Sequence, residues 1–322
     1  MRGFDPKFKD PTDYILGITK EIWEDRGVHR IRDYYAEDGP VRSPSGIVTG
    51  SEAVIAATLA TLTEFPDRQL FGEDVIWSDD NAGGFLSSHR ITSTATHTTA
   101  GIYGEATSKV LRYRIIADCA CRDNQVYDEW LIRDQGAIVR QLGIQPKHYA
   151  AERINAEGGP DHAAKPFAPD TDVAGAYHGH GNDHAVGARY AEILTRIMNA
   201  ELRFIPEAYD RAAQIELPGG RTDYGHGGAD RFWMALRATL PQASFAIEHI
   251  IGREDALMPP RAACRWSLQG RHDGPGMFGP ASGADVHVMG MSHAEFGPRG
   301  LRREWILIDE TAIWKQILLK TG

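Results

Sequence analysis

No stretch of the 322-residue chain approaches the ~18 consecutive apolar residues that a membrane span requires. The opening residues, MRGFDPKFKDPTDY, lack the apolar core of a secretory signal. A cytoplasmic location and no membrane partner are therefore expected. Basic charge is scarce as well, since 35 Lys and Arg face 44 Asp and Glu for a formal charge of −9. Proteins that grip nucleic acid or anionic lipid need a basic surface, so nucleic acid is not an expected partner either. Only three cysteines occur, Cys119 and Cys121 close together and Cys264 far away. They make neither a disulfide framework nor a Cys-x-x-Cys pair and read as small buried apolar groups. No P-loop is present, and no G-x-G-x-x-G follows a strand in a βαβ unit. Nucleotide cofactors and iron–sulfur clusters are thus not expected, and the reading assigns no cofactor.

What the chain does contain is a repeat. DEWLIRDQGAIVRQLG, residues 128–143, returns as REWILIDETAIWKQIL, residues 303–318. Glu129, Trp130, Asp134, Ala137, Ile138 and Gln141 match Glu304, Trp305, Asp309, Ala312, Ile313 and Gln316. The same offset aligns Ile18 with Ile193, Tyr34 with Tyr209, Gly50 with Gly225, Pro66 with Pro241, Arg90 with Arg265 and His97 with His272. Spacing preserved through loops, where insertions cost least, argues for tandem duplication. The expected division is a first domain at 1–148, an Ala/Gly/Pro/His-rich linker at 149–187 and a second domain at 188–322.

Within the first copy, helical spacing from Tyr14 to Tyr35 is interrupted near Gly27, and a capped helix is expected from Ser51 to Pro66. Beyond Pro66 the period becomes two, with strand-length runs at 70–77, 85–97, 109–121, 126–133 and 137–144. Helices followed by strands predict an α+β domain, its helices packed on a curved, mostly antiparallel sheet.

These features resemble the SnoaL-like polyketide cyclases of the nuclear transport factor 2-like superfamily. The likeness rests on the element order, the THT and Gly-x-x-Gly turn from His97 to Gly104, and Trp130, Asp134 and Gln141-Leu142-Gly143. Trp305, Asp309 and Gln316-Ile317-Leu318 repeat the last pattern with a departure from QLG, so the first half reads as the closer relative. The resemblance implies two tandem cone-shaped domains, each enclosing a pocket for a small-molecule ligand. Because members commonly pair through their sheets, it also implies an intramolecular pseudo-dimer, with a homo-oligomer as the alternative. Ile306 and Ile308 read as an apolar outer face suited to such covering.

On an extended strand Trp130, Ile132 and Asp134 share one face, and Glu129, Leu131 and Arg133 the other. Beside Trp and Ile, Asp134 would have its pKa raised at the edge of an apolar cavity, as would Asp309 beside Trp305. The resemblance aligns both with the family's acid/base carboxylate, whereas RDQG and IDET also suit turn aspartates. His97 and His272 could steady a carbonyl oxygen or be satisfied core residues. Arg90 and Arg265 with Glu129 and Glu304 read as cross-strand ion pairs. Trp130, Trp305, Tyr34, Tyr209, Phe85 and Trp266 could wall a binding site or simply pack the core. The linker histidines His162, His178, His180 and His184 with Asp183 lack structural-zinc spacing, and no metal is assigned. The leading expectation is a cofactor-independent acid/base enzyme acting on a small, largely apolar carbonyl compound by aldol cyclisation, isomerisation or dehydration. The alternative is a noncatalytic binding protein with a duplicated pocket.

Overall fold

The computed structural model describes residues 1–80 and 82–322. It contains two six-stranded sheets built to one plan. In the first half, α1 (Pro11–Thr19), a π-helical turn (Lys20–Glu24) and α2 (Ile31–Tyr34) precede the hairpin β1 (Pro40–Ser43) and β2 (Gly46–Thr49). Then come α3 (Ser51–Glu64), the long strands β3 (Gln69–Asp79), β4 (Phe85–Thr96), β5 (Val110–Arg122) and β6 (Gln125–Arg133), and α4 (Gln135–Leu142). After α5 (Pro146–Ala156), the second half repeats the order with α6 (Ala185–Met198), α7 (Ile205–Ala208), β7 (Tyr209–Leu217), β8 (Arg221–Tyr224) and α8 (Gly225–Thr239). It closes with β9 (Ser244–Arg253), β10 (Arg261–Arg271), β11 (Asp285–Gly297), β12 (Gly300–Ile308) and α9 (Glu310–Thr321). Sheet orders are β2-β1-β6-β5-β4-β3 and β8-β7-β12-β11-β10-β9. Every pairing is antiparallel except β1 with β6 and β7 with β12, as the helix-then-strand pattern predicts. No helix among the described residues is long and apolar enough to cross a membrane.

Local signals explain the element ends. Pro11 opens α1, Asp10 caps it by accepting the Asp13 N–H at 2.8 Å, and Tyr14, Ile15 and Ile18 form its buried side. The run 137–144, read above as a strand, is helical in the structure. Asp134 caps α4 at its start, and Gly143, at φ +95°, stops it in the left-handed conformation that glycine adopts without strain. The QLG ending is therefore a helix stop, and its loss in the second copy lets α9 run on to Thr321. Gln141 clamps β5 by accepting the Arg112 N–H at 2.8 Å and donating to the Arg112 carbonyl at 2.8 Å. Gln316 does the same to His287 in β11, at 2.7 and 2.9 Å.

The helices cover the inner face of each sheet, and the outer faces of the two sheets pack on one another. Ile116 and Ile132 meet Met289, Met291 and Leu307 there, and Ile76, Leu86 and Ala120 meet Ile251 and Ala263. Both faces of the central strands are consequently buried; β4 is closed to solvent from Phe85 to Ser93. Polar pairs cross the seam in pseudo-equivalent places. Arg265 donates to Asp118 at 3.2 Å and lies 3.9 Å from the Trp130 ring, while Arg90 hydrogen-bonds His293 at 3.0 Å and lies 3.6 Å from Trp305. Arg90 also pairs with Glu73 at 2.6 Å, so the ion partners expected in Glu129 and Glu304 are replaced by groups on the outer face.

The stretch read as a linker is structured at both ends. α5 crosses the expected boundary at 148 and packs Ala150 and Ile154 against Leu318 of α9, and α6 begins before 188. Between them Phe167 enters the seam, Asp172 receives Arg42 at 2.5 Å, and the Tyr177 hydroxyl lies 2.9 Å from His249 Nε2. His184 caps α6 by accepting the Val186 N–H at 3.3 Å, and His180 Nδ1 lies 3.3 Å from the Glu248 carbonyl.

Candidate active site

The register of β4, β5 and β6 lays out the inner face of the first sheet in rows. One row runs through Cys119 and Glu129, the next through His89, Ala117 and Leu131, and a third through Ile91, Ile115 and Arg133. Ser93 and Tyr113 form a fourth. Over these rows α1 lays Ile15, Ile18 and Thr19, α3 lays Val54, Ala57, Thr58 and Thr61, and Tyr35 and Arg68 close the ends. They leave a cavity of about 180 Å³. An engineered apolar cavity of about 150 Å³ admits benzene, so a compact one- or two-ring molecule is the appropriate scale. Leu131 and Arg133 lie mid-sheet yet are only half-buried, because they border this space.

Its walls are apolar, with a few polar atoms that find no partner in the protein. Glu129 Oε2, His89 Nδ1 and Arg133 Nε are all buried without a hydrogen-bond partner among the described residues. Burial raises the Glu129 carboxyl to about 7 against the opposing hydrogen bond from Tyr35. Burial also lowers His89 to about 4, so its imidazole is neutral at physiological pH. The Tyr35 hydroxyl is held well above its ordinary range by burial and then by the Glu129 charge, and it remains a proton donor. Around neutrality the site thus offers a half-ionised carboxyl, a neutral imidazole and two guanidinium groups.

None of the residues read from the sequence as catalytic or substrate-binding candidates lines this cavity. Asp134 faces the seam: Oδ1 accepts the Ala137 N–H at 2.9 Å and the Gly219 N–H at 2.9 Å, and Oδ2 accepts the Gly220 N–H at 3.1 Å. Asp309 caps α9 through the Thr311 and Ala312 N–H groups at 2.8 and 3.2 Å. Burial raises both carboxyls to about 6, against the helix-cap hydrogen bonds of both and the seam hydrogen bonds of Asp134. His97 and His272 anchor the Gly-x-x-Gly loops through Thr107 at 3.1 Å and Ser282 at 2.9 Å, and His97 Nε2 lies 3.2 Å from Glu64. Trp130 and Trp305 stack on the seam arginines. Tyr34 is tied to Glu21, Lys7 and Arg30, and Phe85 packs on Phe4 and Tyr14.

Tyr209 and Trp266 do sit on the inner face, but of the second half, where they fill it. Trp266 stands in place of Ile91 and Trp233 in place of Thr58, with ring centroids 5.8 Å apart and both side chains fully buried. Phe232 and Tyr190 replace Ala57 and Ile15, and Ile306 and Ile308 pack into this core instead of facing outward. Glu304 keeps the position of Glu129, but both its oxygens are taken by the Tyr190 and Tyr209 hydroxyls, each at 2.8 Å. Gly290 replaces Ile115 opposite Trp266, where any β-carbon would fall within the indole. Gly290→Ala should therefore cost about 1–3 kcal/mol by overpacking. Chemical denaturation checks this; an unchanged midpoint would mean the indole has room to move.

Polar cavity residues that sequence reasoning did not offer as catalytic or substrate-binding candidates include Glu129, read there as an ion-pair partner, and Tyr35, His89, Arg68 and Arg133. A signal for them was present in the copies themselves. Where Ile91, Thr58 and Ala57 stand opposite Trp266, Trp233 and Phe232, the size difference marks positions that border empty space in one copy and fill it in the other.

The family model for SnoaL-like polyketide cyclases matches residues 188–317. The match falls on the second half, although the QLG ending had pointed to the first as the closer relative. No curated protein matches the chain. Among solved structures, IdmH from Streptomyces antibioticus is 20% identical, with a TM-score of 0.38 over 42% of this chain and 100% of its own. A SnoaL-like polyketide cyclase from Agrobacterium tumefaciens is 21% identical, with a TM-score of 0.34 over 42% and 98%. TsrD from Streptomyces laurentii is 17% identical, with a TM-score of 0.36 over 42% and 96%. Residues 188–317 thus match the SnoaL-like polyketide cyclase family model, and the first half repeats the same α+β architecture in tandem.

Proposed function

We propose that the protein is a cofactor-independent acid/base enzyme with one working site, the cavity of the first half, and that the second half is its scaffold. The observation that carries this reading is Glu129: a buried carboxyl with an unpartnered oxygen facing an apolar cavity, raised to about 7. A carboxyl poised there can remove a proton from the carbon beside a carbonyl and return it at another position. The Tyr35 hydroxyl donates to that carboxylate, and His89, one row away and neutral, offers a donor to the oxygen on which enolate charge develops. The substrate class is a small, largely apolar carbonyl compound. Aldol cyclisation, isomerisation and dehydration all begin with this proton transfer, and polyketide-cyclase-like chemistry is the reading favoured by the family model that the second half matches.

Deuterium uptake beside the carbonyl of small cyclic and aromatic ketones, followed by proton NMR in D2O, tests the proposal. The protein is expected to accelerate uptake for at least one ketone, and Glu129→Gln to abolish the acceleration. Tight ketone binding with uptake no faster than in buffer would instead favour a noncatalytic binding protein.

A further inference from the structure

We infer that the end of the first-half cavity remote from Glu129 is a carboxylate pocket, so the molecule it takes bears an anionic group away from its reacting carbon. The inference rests on this cavity being the site and deepens that reading by naming the substrate class. Arg68 and Arg133 both line the cavity, and neither has a carboxylate within ion-pair range among the described residues. The protein's other buried arginines are all matched: Arg42 with Asp128, Arg90 with Glu73, Arg261 with Asp74 and Arg265 with Asp118. Arg68 lies 3.4 Å from the Ser93 hydroxyl and also faces the Tyr113 hydroxyl, and Arg133 faces the Tyr103 hydroxyl while its Nε has no hydrogen-bond partner, so both guanidinium groups meet hydroxyls but no carboxylate.

An unmatched guanidinium away from water is costly, and two near one another cost more. Burial lowers the Arg68 pKa against the Tyr113 hydroxyl, and Arg133 adds to the lowering, whereas Arg133 itself is raised, against burial, by Tyr113, Tyr103 and Asp309. The Tyr113 hydroxyl, which burial would raise, is drawn below its ordinary range by Arg68 and Arg133. His89 is neutral and Glu129 stands at the other end, so the charge of Arg68 and Arg133 is offset only by the Tyr113 and Tyr103 hydroxyls and, for Arg133, by Asp309 beyond ion-pair range. A bound carboxylate would cancel it, and the planar guanidinium fork suits that geometry.

Position supports the same conclusion. Glu129 and Arg133 share a strand face two pleats apart, roughly 13 Å between α-carbons along an extended strand. Both side chains lean into the same space, so a one- or two-ring acid can reach from one to the other. The second copy acts as an internal control. It keeps Glu304 but has Ala243, Ile308 and Val288 where the first has Arg68, Arg133 and Tyr113. The arginine pair occurs with the open cavity and is gone where the cavity is filled.

Isothermal titration of the full chain at neutral pH with benzoate and phenylacetate, against benzamide and phenylacetamide, tests this. The acids should bind about tenfold or more tightly than their amides, as charge-assisted pairing implies. Arg133→Gln and Arg68→Gln should each remove most of that preference, and Arg68→Lys should keep part of it. Glu129→Gln should keep the preference or enlarge it, because that residue stands at the other end and its loss removes negative charge from the same cavity. Equal affinity for acid and amide in the unmodified protein, or no binding of any of the four, overturns the inference without recourse to variants. A preference that survives both glutamine substitutions in folded protein also overturns it. Loss of ketone exchange with the acid preference intact would instead count against the catalytic reading alone.

Discussion

Glu129→Gln should lower kcat/KM by about 10²–10⁴, the usual contribution of a positioned general acid or base, while the protein stays folded. Glutamine keeps the shape and can still accept from Tyr35, but it cannot carry the proton. The pH profile should change with it. Because the Glu129 carboxyl titrates near 7, activity that uses it as a base should rise through that region in the unmodified protein. The variant should have no such limb. Stability gives an independent reading with a definite sign. The carboxyl is raised from its usual 4.5 to about 7, so the folded protein holds a proton that the unfolded chain has already released. Stability conferred by that proton is present below about 4.5 and is lost as pH rises to about 7, a change of about 3 kcal/mol. Glu304, also raised to about 7, acts in the same direction. Glu304→Gln should therefore flatten the melting temperature between pH 5 and 8 about as much as Glu129→Gln does, with turnover unchanged. Parallel melting and activity profiles separate the two. Turnover surviving in Glu129→Gln would remove the basis for placing the chemistry in this cavity.

The duplicated plan and the order of elements were legible because they are written in local signals: turn residues at fixed offsets, periods of two, and apolar helix faces. The pairing of faces was legible too, since alternation places Glu129 with Arg133 and Trp130 with Asp134. What alternation does not reveal is which face meets the cavity. In most single sheets one face is wet and can be set aside, but here each sheet is buried on the inner side by helices and on the outer by its twin. Trp130 and Asp134 looked pocket-like because the seam is as apolar as a pocket. The repeat itself reinforced that reading. Residues that recur in both copies are those both copies need for folding: the aspartate caps, the glutamine clamps, the histidine loop anchors and the tryptophans of the seam. If function belongs to one half, as proposed, its residues are the ones that differ, with Glu129 the exception that recurs as a hydrogen-bonded Glu304.

Asp134→Ala is the complementary experiment, because it should cost stability and leave the chemistry alone. The substitution strips acceptors from the Ala137, Gly219 and Gly220 N–H groups at once. Loss of the cap alone costs about 0.5–2 kcal/mol, and each buried donor left without an acceptor about 1–3 kcal/mol more. Raising of the carboxyl to about 6 shows that its charge is held against a desolvation cost, which reduces the net loss. A total of about 3–5 kcal/mol is expected, with the first effect on the seam, since Gly219 and Gly220 belong to the β7–β8 turn of the other half. Asp134→Asn retains one acceptor oxygen and should lose about 1–2 kcal/mol. Activity per folded molecule should remain near that of the unmodified protein in both, measured below the lowered melting temperature. A stable, correctly folded Asp134→Asn that has lost turnover by the factor assigned here to Glu129 would return the catalytic carboxylate to the seam and empty the cavity of its role.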